Sequence, residues 1–412
     1  MINTYFEALE YLFSKRNQNK SNEKLKKIIE ENNLTPTYPV CIITGTNGKG
    51  EVCHFAKNIL KNCMHVGMFT SPHVESFNER IMINDRYISN SEVMYYTMEL
   101  EKINDKYISE NNDSLSFFQL TFLMALMFYK DREIDYGIFE VGIGGINDSV
   151  NVLEPELSIL VNVGLDHMDI LGNTKEEICL NKLGITRDNK TLITSEKELL
   201  PLIKDYCSKR NIKLINVLDD LEIINDYEFI YKGNNYKKYI PGYYSAYDAS
   251  IAIELATNVM KNIPYDFLSY GIYYTMLPSR MEIINNKPLV IIDGGHNKDA
   301  VINLVSYLKR NKGEKKILII YQSLRDKDYK EVIKLLDTVS DSYYITDFDD
   351  KRCSKKEDIA SCLTKPYKLF NNISDLVSNI SFDDDNIIVF SGSFHLSFQV
   401  KQEILKKLKE IK

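Results

Sequence analysis

The sequence predicts an α/β fold in two domains, and three observations carry that expectation. Short β-rich apolar runs alternate with helical patterns over most of the 412 residues, the mark of parallel strands joined by crossover helices. A glycine-rich turn, Gly45-Thr46-Asn47-Gly48-Lys49-Gly50-Glu51, separates the first clear apolar run from a helix with apolar residues at Val52, Phe55, Ala56, Ile59 and Leu60. A polar break, Asn285-Asn286-Lys287, precedes a fresh strand-like run, Leu289-Val290-Ile291-Ile292, after which the alternation starts again.

In chain order, strands are expected at 40–44, 66–69, 135–141, 157–164 and 191–195, with helices filling much of the space between them. From about 214 to 240 the pattern shortens into Tyr- and Asn-rich pieces. Tyr227–Tyr231 and Tyr236–Tyr239 flank Lys232-Gly233-Asn234-Asn235, which reads as a hairpin insert and not as another βαβ unit. A helix is expected next, from about Ala246 to Met260. Beyond a boundary near Glu282–Pro288, strands are expected near 316–321, 342–346 and 386–390, and helices near 298–309, 327–337 and 393–409. The domains are therefore 1–282, a mainly parallel P-loop-type sheet with a small β insert, and 288–412, a smaller Rossmann-like α/β domain of about 125 residues, an ordinary domain size. The Lys- and Asn-rich stretch 14–32 reads as a solvated helix and loop.

Composition narrows the class. Lys and Arg number 51 against 58 Asp and Glu, a net charge of −7, which disfavours nucleic acid or an anionic membrane surface as partner. Seven cysteines without paired spacing read as reduced thiols. No stretch approaches membrane-span length, and the N-terminus lacks a basic region followed by a long apolar run. The expectation is a cytoplasmic protein.

Strand, glycine-rich turn and helix together let backbone N–H groups and a helix N-terminus hold phosphate, with Lys49 adding positive charge. Gly45, Thr46, Asn47, Gly48, Lys49 and Gly50 are thus candidates for a nucleotide loop. At the seventh position such loops carry Ser or Thr for Mg²⁺; this chain carries Glu51. Glu140 sits inside the apolar run Gly137–Val141, where an acid requires a partner or a metal.

Further stretches lie beyond the loop: Thr70-Ser71-Pro72-His73, Phe77-Asn78-Glu79-Arg80-Ile81, Glu140-Val141-Gly142-Ile143-Gly144-Gly145 with Asp148 and Asn151, Gly164-Leu165-Asp166-His167, Leu171-Gly172-Asn173-Thr174 and Asn181-Lys182-Leu183-Gly184-Ile185. Later come Ile292-Asp293-Gly294-Gly295-His296-Asn297, Asp326-Lys327-Asp328 and Ser391-Gly392-Ser393. Collinear from about residue 36 to the C-terminus, they resemble folylpolyglutamate synthase/dihydrofolate synthase, a branch of the Mur ligase superfamily.

The resemblance implies a two-step amide synthesis, in which ATP phosphorylates a carboxylate and the amine of glutamate displaces the phosphate. It implies Lys49 on the β/γ-phosphates and Ser71, Glu140, His167 and Lys182 as the metal set for one or two Mg²⁺, with Lys182 carbamylated and Lys49, Lys182 and His167 catalytic. It also implies Asp248, Arg280, Asp293 and His296 as nucleotide contacts, the last three from a second domain that closes the pocket. The same resemblance implies Ser71, Pro72, His73, Phe77 and Arg80 as the substrate loop, with Phe77 either a stacking or a packing aromatic. A reduced folate, L-glutamate and ATP are the implied small-molecule partners, and the implied state is a monomer. Within the superfamily, a cell-wall ligase would need a separate domain before the loop, and the roughly 40 residues there are too few for one.

The chain departs from the family pattern at Glu51, at Gln119 where Glu is usual, at Asp248 where Asn is usual, at Ser279 where Gly is frequent, and over Ser14–Lys20. A carboxylate about 5 Å from a phosphate charge costs about 3 kcal/mol at an effective dielectric near 20, and a bridging Mg²⁺ reverses the sign. Three outcomes stay open for Glu51: it ligates Mg²⁺, it swings outward and weakens ATP binding, or the chain is a homologue that binds folate or nucleotide with little turnover.

Overall fold

The structure is a computed structural model and describes residues 2–15 and 21–411. Of the stretch 14–32, residues 21–32 contain a helix, Asn22–Glu31, with Ser21 capping it; residues 16–20, within the departing segment Ser14–Lys20, lie outside the described residues. The chain divides into two compact units. The first comprises residues 1–222, 230–236 and 247–274, the second residues 223–229, 237–246 and 275–412. The boundary expected near Glu282–Pro288 lies inside the second unit, which begins its long segment at Thr275.

The main sheet of the first unit has eight strands: β1 (Val40–Thr44), β2 (Val66–Phe69), β3 (Ile81–Ile83), β4 (Arg86–Tyr87), β5 (Tyr136–Glu140), β6 (Leu157–Leu160), β7 (Thr191–Thr194) and β8 (Lys213–Asn216), in the order β4-β3-β2-β5-β1-β6-β7-β8. The six strands β2, β5, β1, β6, β7 and β8 run parallel. All five residues of β1 and of β5 are buried, as expected of strands covered on both faces. The antiparallel pair β3 and β4 on one edge is too short to leave a period-2 signal in the sequence. Residues 213–216 also correct the expectation for 214–240. They pair with β7 in parallel after the helix Leu200–Lys209, so this piece is a further βαβ unit and the insert begins only at Leu221.

The insert is a three-stranded sheet of β9 (Leu221–Ile223), β10 (Glu228–Tyr231) and β11 (Asn234–Lys237), in the order β11-β10-β9. Lys232 and Gly233 join the last two with φ of 48° and 77°, the left-handed pair that matches the twist of a two-residue hairpin.

The sheet of the second unit contains β12 (Glu282–Asn286), β13 (Leu289–Asp293), β14 (Lys316–Tyr321), β15 (Ser342–Ile345), β16 (Tyr367–Leu369) and β17 (Asn386–Ser391), in the order β12-β13-β17-β14-β15-β16. It is parallel apart from β12. The polar break at 285–287 turns out to be the turn of the β12–β13 hairpin, where Asn285 Nδ2 donates to the Pro288 carbonyl at 2.8 Å. Each unit has its own apolar core, built on Ile42, Phe69, Phe122 and Phe139 in the first and on Ile292, Ile388, Phe390 and Leu396 in the second.

Candidate active site

In the first unit the glycine loop leaves β1 between its parallel neighbours β5 and β6, at the carboxyl ends of the strands where α/β sheets hold ligands. The loop is laced to the end of β6. Asn47 N donates to Asn162 Oδ1 and Asn162 Nδ2 returns a bond to the Asn47 carbonyl, each at 3.0 Å. Gly164 N donates to Thr46 Oγ1 at 2.8 Å. An ideal Cβ on Gly45 would stand 2.9 Å from Val161 Cβ, so a side chain there would push the loop off the strand. Gly48 has φ +82° and precedes the helix Lys49–Leu60. Lys49 Nζ is folded onto the loop, donating to the carbonyls of Gly45 at 2.9 Å and Thr46 at 3.4 Å. Both are weak attachments for an ammonium compared with a phosphate oxygen.

Three carboxylates border this loop. Glu51 stands in the first turn of its helix, where the helix dipole favours negative charge. The Asp248 carboxylate packs on Gly48, with its oxygens 2.6 and 2.7 Å from where a Cβ would be. It therefore borders the glycine loop directly. Glu140, only 4 % exposed, ends β5 beside Ile43 of β1. Its Oε2 accepts from Ser71 N at 2.9 Å and stands 3.8 Å from an ideal Cβ on Gly50. Ser71, Glu140 and the loop are thus gathered at one end of the sheet.

Lys182, 3 % exposed, lies in the last turn of the helix Lys175–Leu183. Burial, reinforced by the charge of Lys49 and opposed by Asp166 and Asp148, pushes its pKa down to about 7. The loop 142–152 packs against this helix end: a Cβ on Gly145 would meet the carbonyls of Asn181 and Lys182 at 2.6 and 2.7 Å. Asp148 braces the loop by accepting from the N–H groups of Gly142, Ile143 and Val150 at 3.0–3.1 Å. His167 differs from the other expected metal ligands. It is half-exposed, in the left-handed region at φ 48°, with Nε2 3.9 Å from Asp166 Oδ1.

Among the described residues no three His, Cys, Asp or Glu side chains converge at metal-ligating distance. The expected set contains only two such side chains, Glu140 and His167, so a metal here depends on hydroxyl, phosphate and water oxygens as well. The buried Glu140 carboxylate beside Gly50 and Ser71 suits a hard cation that keeps such partners. Lys182 as an amine does not suit it, since an ammonium repels a cation and only an added carboxylate would make the side chain a ligand.

In the loop 71–80, Phe77 is 3 % exposed and packed edge-on against Phe13 and Phe117. Its ring thus takes part in the aromatic packing around this loop. His73 accepts from Arg80 Nε at 2.7 Å through Nδ1. Gln119 forms a reciprocal cap with Ser116: Ser116 N donates to its Oε1 at 2.9 Å and Gln119 N to Ser116 Oγ at 3.2 Å. Glu would make the same cap, so the structure does not explain the amide at this position.

The second unit gathers the other expected residues. Arg280 lies between Ser279 and Met281, both with positive φ, and its guanidinium stands 4.5 Å over the Phe394 ring. Asp293 accepts from Met281 N and Gly295 N, each at 2.9 Å, so its oxygens shape the turn that carries Arg280. Burial raises its pKa against the opposing pull of those bonds and of Arg280. His296 Nδ1 lies 3.1 Å from the Gly294 carbonyl, and its ring is edge-on to Phe394. Sequence reasoning missed Asn162, and it missed Glu196, which accepts from the N–H groups of Val163, Glu198 and Leu199. A polar residue just past each of two apolar runs was the signal available for both.

Two family models match in tandem, the Mur ligase middle domain over residues 43–222 and the Mur ligase glutamate ligase domain over 279–394. The dihydrofolate synthase/folylpolyglutamate synthase of Bacillus subtilis is 28 % identical over 390 residues, covering 88 % of this chain and 89 % of that protein. The chain belongs to the folylpolyglutamate synthase/dihydrofolate synthase branch of the Mur ligase superfamily. Solved members of this branch share the fold. Escherichia coli FolC in complex with DHPP and ADP has a TM-score of 0.88 at 24 % identity, covering 98 % of each chain. The bifunctional folylpolyglutamate synthase/dihydrofolate synthase of Yersinia pestis, complexed with AMPPNP and a Mn ion, has a TM-score of 0.86 at 23 % identity, again covering 98 % of each.

Proposed function

We propose that this chain is an ATP-dependent ligase that joins L-glutamate to the glutamyl carboxylate of a reduced folate, and extends to joining glutamate to dihydropteroate. The observation that carries the reading is the gathering of the Gly45–Gly50 loop, Lys49, Ser71 and buried Glu140 at one end of the sheet, in a chain of this ligase family. The proposed nucleotide is ATP with Mg²⁺, the proposed setting cytoplasmic and the proposed state a monomer.

In the proposed first step the loop N–H groups take the phosphates, and Lys49 exchanges two carbonyl oxygens for the β/γ-phosphate oxygens. The acceptor carboxylate attacks the γ-phosphorus, forming an acyl phosphate and releasing ADP. In the second step the glutamate amine attacks the acyl carbon, an amide forms and phosphate leaves with the bonding pair. Such chemistry is mostly positioning and charge neutralisation. Ser71, Glu140, His167 and a carbamylated Lys182 would hold the metal, which when bound neutralises charge on the transferring phosphoryl group. A Lys182 amine poised near neutrality is the nucleophile that carbamylation by CO₂ requires. Asp248 borders the loop in this reading, and Arg280 and His296 are its further proposed nucleotide residues, with Asp293 orienting Arg280.

The test is ADP release measured with ATP, Mg²⁺, tetrahydrofolate and glutamate, omitting each in turn. Release that requires all four supports the reading. Release indifferent to folate or glutamate would overturn it. No release by the native chain, with activity restored in Glu51→Ser, would favour a protein that binds the ligands with little turnover.

A further inference from the structure

Six arginines of this chain, at 86, 132, 187, 210, 310 and 352, place a guanidinium nitrogen 2.5–3.1 Å from a carboxylate oxygen. Arg80 does not, although it is only 7 % exposed and those six are more open. Its Nε donates to a neutral acceptor, His73 Nδ1 at 2.7 Å, and its guanidinium lies 5.1 Å from the centre of the Phe117 ring. Among the described residues no carboxylate oxygen stands within ion-pair distance of it. Glu140 and Glu79 act on it only from further away. Both are engaged elsewhere, Glu140 with Ser71 N and Glu79 with the N–H groups of Val74, Glu75 and Ser76. A guanidinium removed from water without an anion is costly, and it is relieved by a carboxylate that can take two of its parallel N–H bonds.

The surroundings narrow the anion. Phe13, half-exposed, stacks on Phe117 at 5.1 Å and 21°, so an aromatic wall continues from the guanidinium toward solvent. Phosphate already has a place at the glycine loop. Glu140 links the two regions, since it lies against Gly50 and holds the first residue of the loop that ends at Arg80. We infer that Arg80 binds the acceptor's reactive carboxylate, holding it on the phosphate side of the sheet with the acceptor's flat aromatic portion along Phe117 and Phe13. This deepens, and rests on, the ligase reading. It assigns to Arg80 the one group on the acceptor that must be oriented for attack on phosphorus.

The experiment compares binding of a reduced folate with that of its analogue whose terminal γ-carboxylate is a carboxamide, by calorimetry without nucleotide. Native protein is expected to prefer the acid by about 30-fold, the scale of one bidentate charge-assisted contact. Arg80→Met, which keeps the stem on Phe117, is expected to bind acid and amide within about threefold, with ATP affinity unchanged and thermal stability no lower than native. A structural role alone would lower stability and leave the preference intact, and that result overturns the inference. Equal binding of acid and amide by native protein also overturns it, while glutamate-dependent turnover in the same preparation would leave the ligase reading standing. Native protein that neither binds nor turns over any reduced folate overturns the ligase reading itself. Should Arg80→Met not fold, Arg80→Lys decides: a preference reduced at least about threefold supports the assignment, and an unchanged one overturns it.

Discussion

Glu51 illustrates how much one side chain can set at this site. It shares the loop's end with the Asp248 and Glu140 carboxylates, so the loop's positive end faces a local excess of negative charge until a cation arrives. Glu51→Ser is therefore expected to bind ATP about tenfold more tightly in EDTA, the effect of roughly 1.4 kcal/mol of relieved repulsion. Added Mg²⁺ should shrink the difference. Equal affinities in EDTA would show that Glu51 points away from the phosphates. Lys182 supports a second expectation. Its folded pKa, about 7, is far below that of an exposed lysine, so between about pH 7 and 10.5 the unfolded chain binds the extra proton and stability rises with pH through that window. Relative to Lys182→Met, native protein in CO₂-free, metal-free buffer should gain up to about 1.4 kcal/mol per pH unit from pH 7 to 9. Denaturant melts at several pH values would show it, and parallel curves for the two proteins would refute it. Lys182 entered only through the family resemblance, whereas Lys49 and Glu140 could be picked out from the sequence, one in a glycine-rich turn and the other as an acid inside an apolar run. Asn162 could not, because its role depends on β1 and β6 being neighbours, a pairing between residues 115 positions apart.

At the scale of elements, the loop 142–152 and the end of the helix Lys175–Leu183 behave as one piece, and Arg187 fastens them. It donates to the carbonyls of Asn151, Leu153, Ile185 and Thr186 and to Asn151 Oδ1, at 2.7–3.2 Å, while Asn151 Nδ2 returns to Ile146 and Gly184. Arg187→Ala strands several carbonyls and is expected to cost about 2–3 kcal/mol. Because Lys182 sits on the fastened helix end, kcat should fall by at least about tenfold while the KM for ATP stays within about twofold. A large rise in that KM with kcat preserved would place the loop's influence on the nucleotide instead. The alternation of apolar runs and amphipathic helices made the central parallel strands legible, since β1, β2, β5 and β6 are buried along their whole length. The more exposed parallel edge strands β8 and β16 carry no apolar run and were missed. The short antiparallel pieces β3, β4 and β12 were not legible. Two to five residues carry too little pattern, and β12 lies in a polar stretch that reads as a linker until its pairing with β13 is seen.

Each unit has apolar core of its own, so unfolding is not expected to follow a single two-state transition. The glycine loop, with Lys49, belongs to the first unit, and ligand binding stabilises the cooperative piece that binds. Scanning calorimetry with MgADP at 100 times its Kd should raise that piece by about 2.7 kcal/mol, a shift of roughly 5–10 °C for a unit of this size. Lys49→Ala removes the ammonium that the phosphates would receive and leaves only two carbonyl bonds of the ligand-free loop unmade. Its melting without nucleotide should therefore match the native protein closely, and the MgADP shift should vanish. A shift that survives in Lys49→Ala would place the nucleotide away from the Gly45–Gly50 loop. A variant that melts early without ligand would show instead that Lys49 is part of the loop's own architecture.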